Sequence, residues 1–131
     1  MSKILTDKQA KKKAQKECRK LGEAKLSEFM QFMKLSIEGS IKFGDFERRD
    51  SQRKLKEIIS FFRHSDTPNS RLLEIANQFK NLSIELKDAI FAGSGIFANP
   101  NSCLVDRFRE ASEAFIKMAA AKPLAELVKS K

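Results

Sequence analysis

The side chains able to do chemistry in this chain are few and scattered. His64 is the sole histidine among 131 residues, so no Ser-His-Asp arrangement can be assembled from its neighbours. Its place at the expected end of a helix suits a cap or dipole partner better than an acid or base. Asp45, Glu47 and Asp50 cluster, but around an expected helix start, where carboxylates are stabilised by the positive end of the helix dipole. Gly93-Ser94-Gly95 lacks both the Lys-Ser/Thr of a phosphate loop and the spacing of a dinucleotide fingerprint, and reads as a helix stop followed by a turn. Cys18 and Cys103 are far apart and neither belongs to a C-x-x-C pair, which leaves no zinc pattern and no disulfide framework; reduced thiols and a cytoplasmic setting are expected. No catalytic, metal-binding or cofactor-binding constellation emerges, and a non-enzymatic protein is expected.

What remains is charge. Residues 1–25 hold nine of the 26 Lys and Arg against Asp7, Glu17 and Glu23, a surplus of six out of the chain's net +9, while the rest of the chain is close to balanced. At 100° per residue Lys8, Lys12, Lys13, Lys16, Arg19 and Lys20 gather on one side of a helix. Cations so close repel one another unless something anionic lies near. Phosphates spaced along DNA or RNA answer that requirement. Lys outnumbers Arg here, and Trp and Tyr are absent, so backbone contact is expected rather than base reading or stacking. Arg49, Arg53, Lys56 and Arg63 project from the outer side of a second helix and would extend the surface if that helix packs beside the first.

The elements that must position these residues are helical. With five Gly, three Pro and 41% hydrophobic residues, the composition favours helices. Thr6-Asp7-Lys8-Gln9 has the form of a capping box, and the first helix is expected from there to about residue 38, stopped by Gly39. Ala10, Ala14, Cys18 and Leu21 make a narrow apolar edge on its first half, whereas Leu26, Phe29, Met30, Phe32, Met33, Leu35 and Ile37 make its second half a core element. Ile41, Phe43 and Phe46 are expected to anchor a connector broken by Gly44. A second helix is expected over 50–64, capped by Asp50 or Ser51, with Leu55, Ile58, Ile59 and Phe62 buried. Pro68 then opens a long helix over 68–92. A helix-turn-helix over 75–90, with Ser83 as a cap, fits poorly: Lys80-Asn81 stands at the turn, and Glu85 and Asp88 would face the DNA. A fourth helix over 101–121 follows the loop at 93–101, and Pro123 is expected to open a short last helix over 124–128.

The reading is an all-α chain: one domain over residues 1–131, four main helices and a short C-terminal helix, with residues 1–20 expected to be extended or partly disordered without a partner. No apolar run reaches the ~18 residues of a membrane span, no signal-peptide stretch is visible, and the Ala10–Ala14–Cys18 edge is too small for an interfacial helix, so a membrane partner is not expected. The expected function is contact with the phosphate backbone of nucleic acid through the basic first helix, within a larger nucleoprotein complex. The alternative is an adaptor or inhibitor that docks on another protein, with Ile96 and Phe97 of the 93–101 loop as its interface.

Overall fold

The computed structural model describes residues 7–39, 43–91 and 102–130, with residues 102 and 122–130 described by backbone alone. Four helices account for nearly all of them: α1 (Asp7–Ile37), α2 (Asp45–Arg63), α3 (Asn69–Phe91) and α4 (Ser102–Ser130). The described residues contain no strand, so the chain is all-α. None of the helices in the described residues is long and apolar enough to cross a membrane.

The helix ends follow local chemistry. Gly39 stops α1 in the left-handed region at φ 84°, where a side chain would be strained; its amide donates to the Ser36 carbonyl at 3.1 Å. Thr6, the expected cap of α1, lies outside the described residues. α2 begins at Asp45 rather than near residue 50. Gly44 does not merely break the pattern but is the N-cap, and its amide donates to Glu47 Oε1 at 2.8 Å, while Asp45 and Glu47 fill the first turn as the dipole favours. This earlier start turns Phe46 outward, 74% exposed, so Phe43 alone of the two described connector phenylalanines anchors, with its ring 6.2 Å from Phe32. In the α2–α3 turn the buried Ser65 hydroxyl donates to the Phe62 carbonyl at 2.7 Å and lies 2.7 Å from the Thr67 hydroxyl. α3 is continuous through Lys80-Asn81-Leu82, and Ser83, no cap, donates to the Val105 carbonyl of α4 at 3.2 Å.

The separate helix expected over 124–128 is instead the end of α4, which runs through Pro123 to Ser130. Proline removes one amide donor but its fixed φ is helical, and the three alanines before Lys122 are strong helix formers.

The core is a chain of phenylalanine rings to which every helix contributes. Phe29 of α1 lies 5.9 Å from Phe108 and 6.3 Å from Phe79. Phe79 of α3 stacks on Phe115 of α4 at 5.7 Å, and Phe115 meets Phe62 of α2 edge-on at 5.4 Å. Leu26, Met33, Leu55, Ile58, Leu72, Ile75, Leu86 and Leu104 fill in around them, all buried. α3 and α4 form the most extensive antiparallel pair, and α1 packs on α2, which also touches α4. Gly22 is where α1 crosses Phe62: a Cβ there would sit 3.0 Å from Phe62 Cε2 and 3.3 Å from Phe61 Cβ.

Phe79→Ala therefore removes a fully buried ring that touches three others and should cost about 3–5 kcal/mol, whereas Phe46→Ala should stay within about 0.5 kcal/mol. Gly22→Val, which drives a branched side chain into Phe62, should cost about 1–3 kcal/mol by overpacking. Urea unfolding followed by far-UV circular dichroism measures all three.

Candidate nucleic-acid interface

Helix α1 outruns the body that it packs on. Its first buried residue is Gly22, followed by Leu26, Phe29, Met33 and Ser36, while every residue from Asp7 to Ala14 is exposed. At 1.5 Å per residue the first four turns reach about 20 Å beyond the core. The Ala10–Ala14 edge is exposed and Leu21 is 46% exposed, because the buried positions lie about a quarter-turn or more further round the helix.

The overhang is rooted by polar contacts to the α2–α3 turn. The Asp66 amide donates to the Gln15 carbonyl at 3.4 Å, and Arg19 Nε sits 3.0 Å from Asp66 Oδ1. One turn further, Arg71 of α3 grips Glu23 with two hydrogen bonds, Nε to Oε2 at 2.9 Å and Nη2 to Oε1 at 2.7 Å. Both side chains are about one-third exposed; the Glu23 hydrogen bonds raise the Arg71 pKa above its already high ordinary value. Lys25 Nζ then reaches Glu57 of α2 at 2.8 Å. These contacts consume Arg19 and Lys25. Lys8, Lys12, Lys13, Lys16 and Lys20, by contrast, are exposed and form no ion pair among the described residues.

The α2 cations sit differently. Gly22 against Phe62, Lys25 against Glu57, and Met33, whose sulfur lies 3.9 Å from the Ser51 hydroxyl, fix α1 and α2 antiparallel. Arg63 thus comes level with Lys20, while Lys56, Arg53 and Arg49 lie successively further down the body, away from the overhang. Arg53 is engaged with Asp50 at 2.6 Å and with Glu57 at 3.6 Å. Arg49, Lys56 and Arg63 are exposed. Ile96 and Phe97 lie outside the described residues.

The remaining reactive side chains are dispersed. His64 is exposed at the C-cap of α2, its backbone amide donating to the Phe62 and Ser60 carbonyls. Cys18 and Cys103 are half-buried, Cys103 receiving a hydrogen bond from Gln52 at 3.7 Å. Among the described residues no group of His, Cys, Asp and Glu could hold a metal ion. Two features escape a reading of the sequence: the long-range clamps of Glu23 on Arg71 and Arg19 on Asp66, which no local spacing announces, and an exposed seam on α3 and α4 described below.

The described residues form an all-α fold of four helices, the first of which begins with exposed, lysine-rich turns. Comparison with protein families, curated proteins and solved structures finds no match.

The carboxylates beside the α1–α2 seam give a pH dependence. The Lys25 hydrogen bond holds the Glu57 carboxyl below the ordinary glutamate range, with the charges of Lys25, Arg53 and Lys54 adding to it. Arg53 and Lys54 likewise hold Asp50 low through hydrogen bonds. A depressed folded-state pKa stabilises the fold above the unfolded carboxylate value of about 4, and that contribution disappears as pH falls through the lower folded value. Because both groups are solvent-screened, together they should contribute less than about 1 kcal/mol. Glu57→Gln with Asp50→Asn should be slightly less stable at neutral pH and lose less stability than the parent between pH 5 and pH 3, as read from thermal melts across that window.

Proposed function

We propose that this protein is a non-enzymatic, single-domain helical bundle that binds the phosphate backbone of nucleic acid through the overhanging first turns of α1, as one component of a larger nucleoprotein complex. One observation carries the reading: Lys8, Lys12, Lys13, Lys16 and Lys20 of α1 are exposed and form no ion pair among the described residues, the first three of them on turns that lie wholly exposed beyond the contact with Asp66, whereas Arg19 and Lys25 at the root of the overhang are paired. An unpaired cation on such an overhang gains by releasing condensed counterions from phosphate, whereas Lys25, already bonded to Glu57, gains less. Lys8, Lys12, Lys13, Lys16 and Lys20 form the contact surface, and Arg19 and Arg63 border its root. Arg49, Arg53 and Lys56 are second-rank contributors, reached only by nucleic acid that continues along α2.

The testing experiment titrates the full chain against single- and double-stranded DNA and RNA at two salt concentrations. Five lysine–phosphate contacts on duplex DNA give a log–log salt slope of about −4 to −5, and each Lys→Ala replacement in the overhang should reduce it by about 1. Charge reversal of Lys12, Lys16 and Lys20 to Glu should abolish binding while the helical content and melting temperature hold, since these side chains are exposed and form no ion pair among the described residues. Unchanged affinity in that variant, or no binding by the parent chain even at low salt, overturns the reading and leaves the adaptor or inhibitor alternative in its place.

A further inference from the structure

We propose that the outer face of α3 and α4 is the interface of a symmetric homodimer. About a third of a turn round from its buried stripe, α3 carries a second seam, Leu73, Asn77, Lys80, Ile84, Lys87 and Phe91, spaced alternately by four and three residues. That spacing keeps a row on one side of a helix and is the repeat by which helices pack on helices. Leu73 is 50% exposed, Ile84 49% and Phe91 80%. α4 carries a matching row, Asp106, Arg109, Glu113 and Ile116, with Ile116 48% exposed. Between the rows runs an open groove with apolar lining from Ile84, Ile90, Phe91, Val105 and Ile116.

The charges on the two rows are complementary to each other. The α3 row contributes Lys80 and Lys87; the α4 row contributes Asp106 and Glu113, with Arg109 already bonded to Asp106. Lys80, Lys87 and Glu113 form no ion pair among the described residues, although Lys87 lies 6.0 Å from the Phe91 ring centre. The lysines are seven residues apart, and so are the two carboxylates. When α3 of one copy lies antiparallel on α4 of another, a single register sets Lys80 opposite Glu113 of the partner subunit and Lys87 opposite Asp106 of the partner subunit. A two-fold axis then repeats both pairs, with Ile84 between them and Ile116 and Phe91 just beyond them, one at each end. The face is self-complementary, as an isologous interface requires, and this selects a second copy of the chain as the occupant.

The arrangement is independent of the α1 cations. α1 runs parallel to α3, as Glu23 on Arg71 and Phe29 on Phe79 show, so the 80–91 part of α3 lies at the end of the body away from the overhang. In the dimer both overhangs point the same way and both stay uncovered.

The test is the mass of the full chain in solution, by sedimentation or light scattering at micromolar concentration. The parent chain should be a dimer of 14.9 kDa protomers. A variant with Lys80→Glu and Lys87→Glu makes both rows acidic, and one with Asp106→Lys and Glu113→Lys makes both basic. Each should dissociate with a Kd raised roughly tenfold or more, with circular dichroism confirming the fold. Mixed together, the two should restore a dimer, since acidic α3 then meets basic α4 across one half of the interface and the parental signs meet across the other. A parent chain that is monomeric at about 100 µM, whatever other protein the groove captures, overturns the proposal. So does persistence of the dimer in both variants, which would locate the interface elsewhere.

Discussion

Five aromatic rings set the distances between the helices. Phe29, Phe62, Phe79, Phe108 and Phe115 join all four helices in a connected series of ring contacts between 5.4 and 6.4 Å. Each buried ring contributes roughly 1.5–3 kcal/mol through burial, and each pair adds about 0.5–1.5 kcal/mol through edge and stacking geometry. Other features accommodate these spacings. Gly22 is small because Phe62 lies directly under it. The buried hydroxyls of Ser36 and Ser83 find backbone carbonyls, at Phe32 and Val105, so that neither donor is left alone at the margin of the rings.

Against that apolar framework the charges play a different part. Most ion pairs of the body join residues three or four apart on one helix, as in Arg48 with Asp45 and Arg107 with Glu110; such exposed pairs add little to stability. The longer-range pairs, Arg19 with Asp66, Lys25 with Glu57 and Arg71 with Glu23, flank the buried stripe of α1 where it leaves the body, Lys25 on the side of α2 and Arg19 and Glu23 on the other. They aim the helix more than they hold it. At that point Arg19 and Lys25 are matched; beyond it, Lys8, Lys12, Lys13 and Lys16 form no ion pair among the described residues.

The helical class could be read from apolar periodicity, and so could the left-handed stop at Gly39 and the burial of Leu55, Ile58, Phe62 and Phe79, because each depends on a few adjacent residues. The start of α2 could not, since Gly44 looks like a breaker until its amide is seen to meet Glu47. Pro123 misled in another way, since its fixed φ is compatible with a helix and α4 continues through it to Ser130. The cationic face was legible as composition. Which of its members are unpaired was not: Arg19 and Lys25 find their carboxylates through tertiary contacts with Asp66 and Glu57. The second seam of α3 was hidden because lysines and an asparagine alternate with Leu73, Ile84 and Phe91, which dilutes the apolar signal.

The choice of phenylalanine for every aromatic ring also determines how the molecule can be observed. Tyrosine and tryptophan bring a hydroxyl or an indole N–H that needs a partner when buried; with neither present, the rings can pack against one another with no polar atom among them. The same choice leaves the protein nearly transparent in the near ultraviolet and without indole fluorescence. Its concentration has to be taken from peptide-bond absorbance, and a single tryptophan placed at Phe46, on the exposed outer side of α2, would be a reporter set against a dark background.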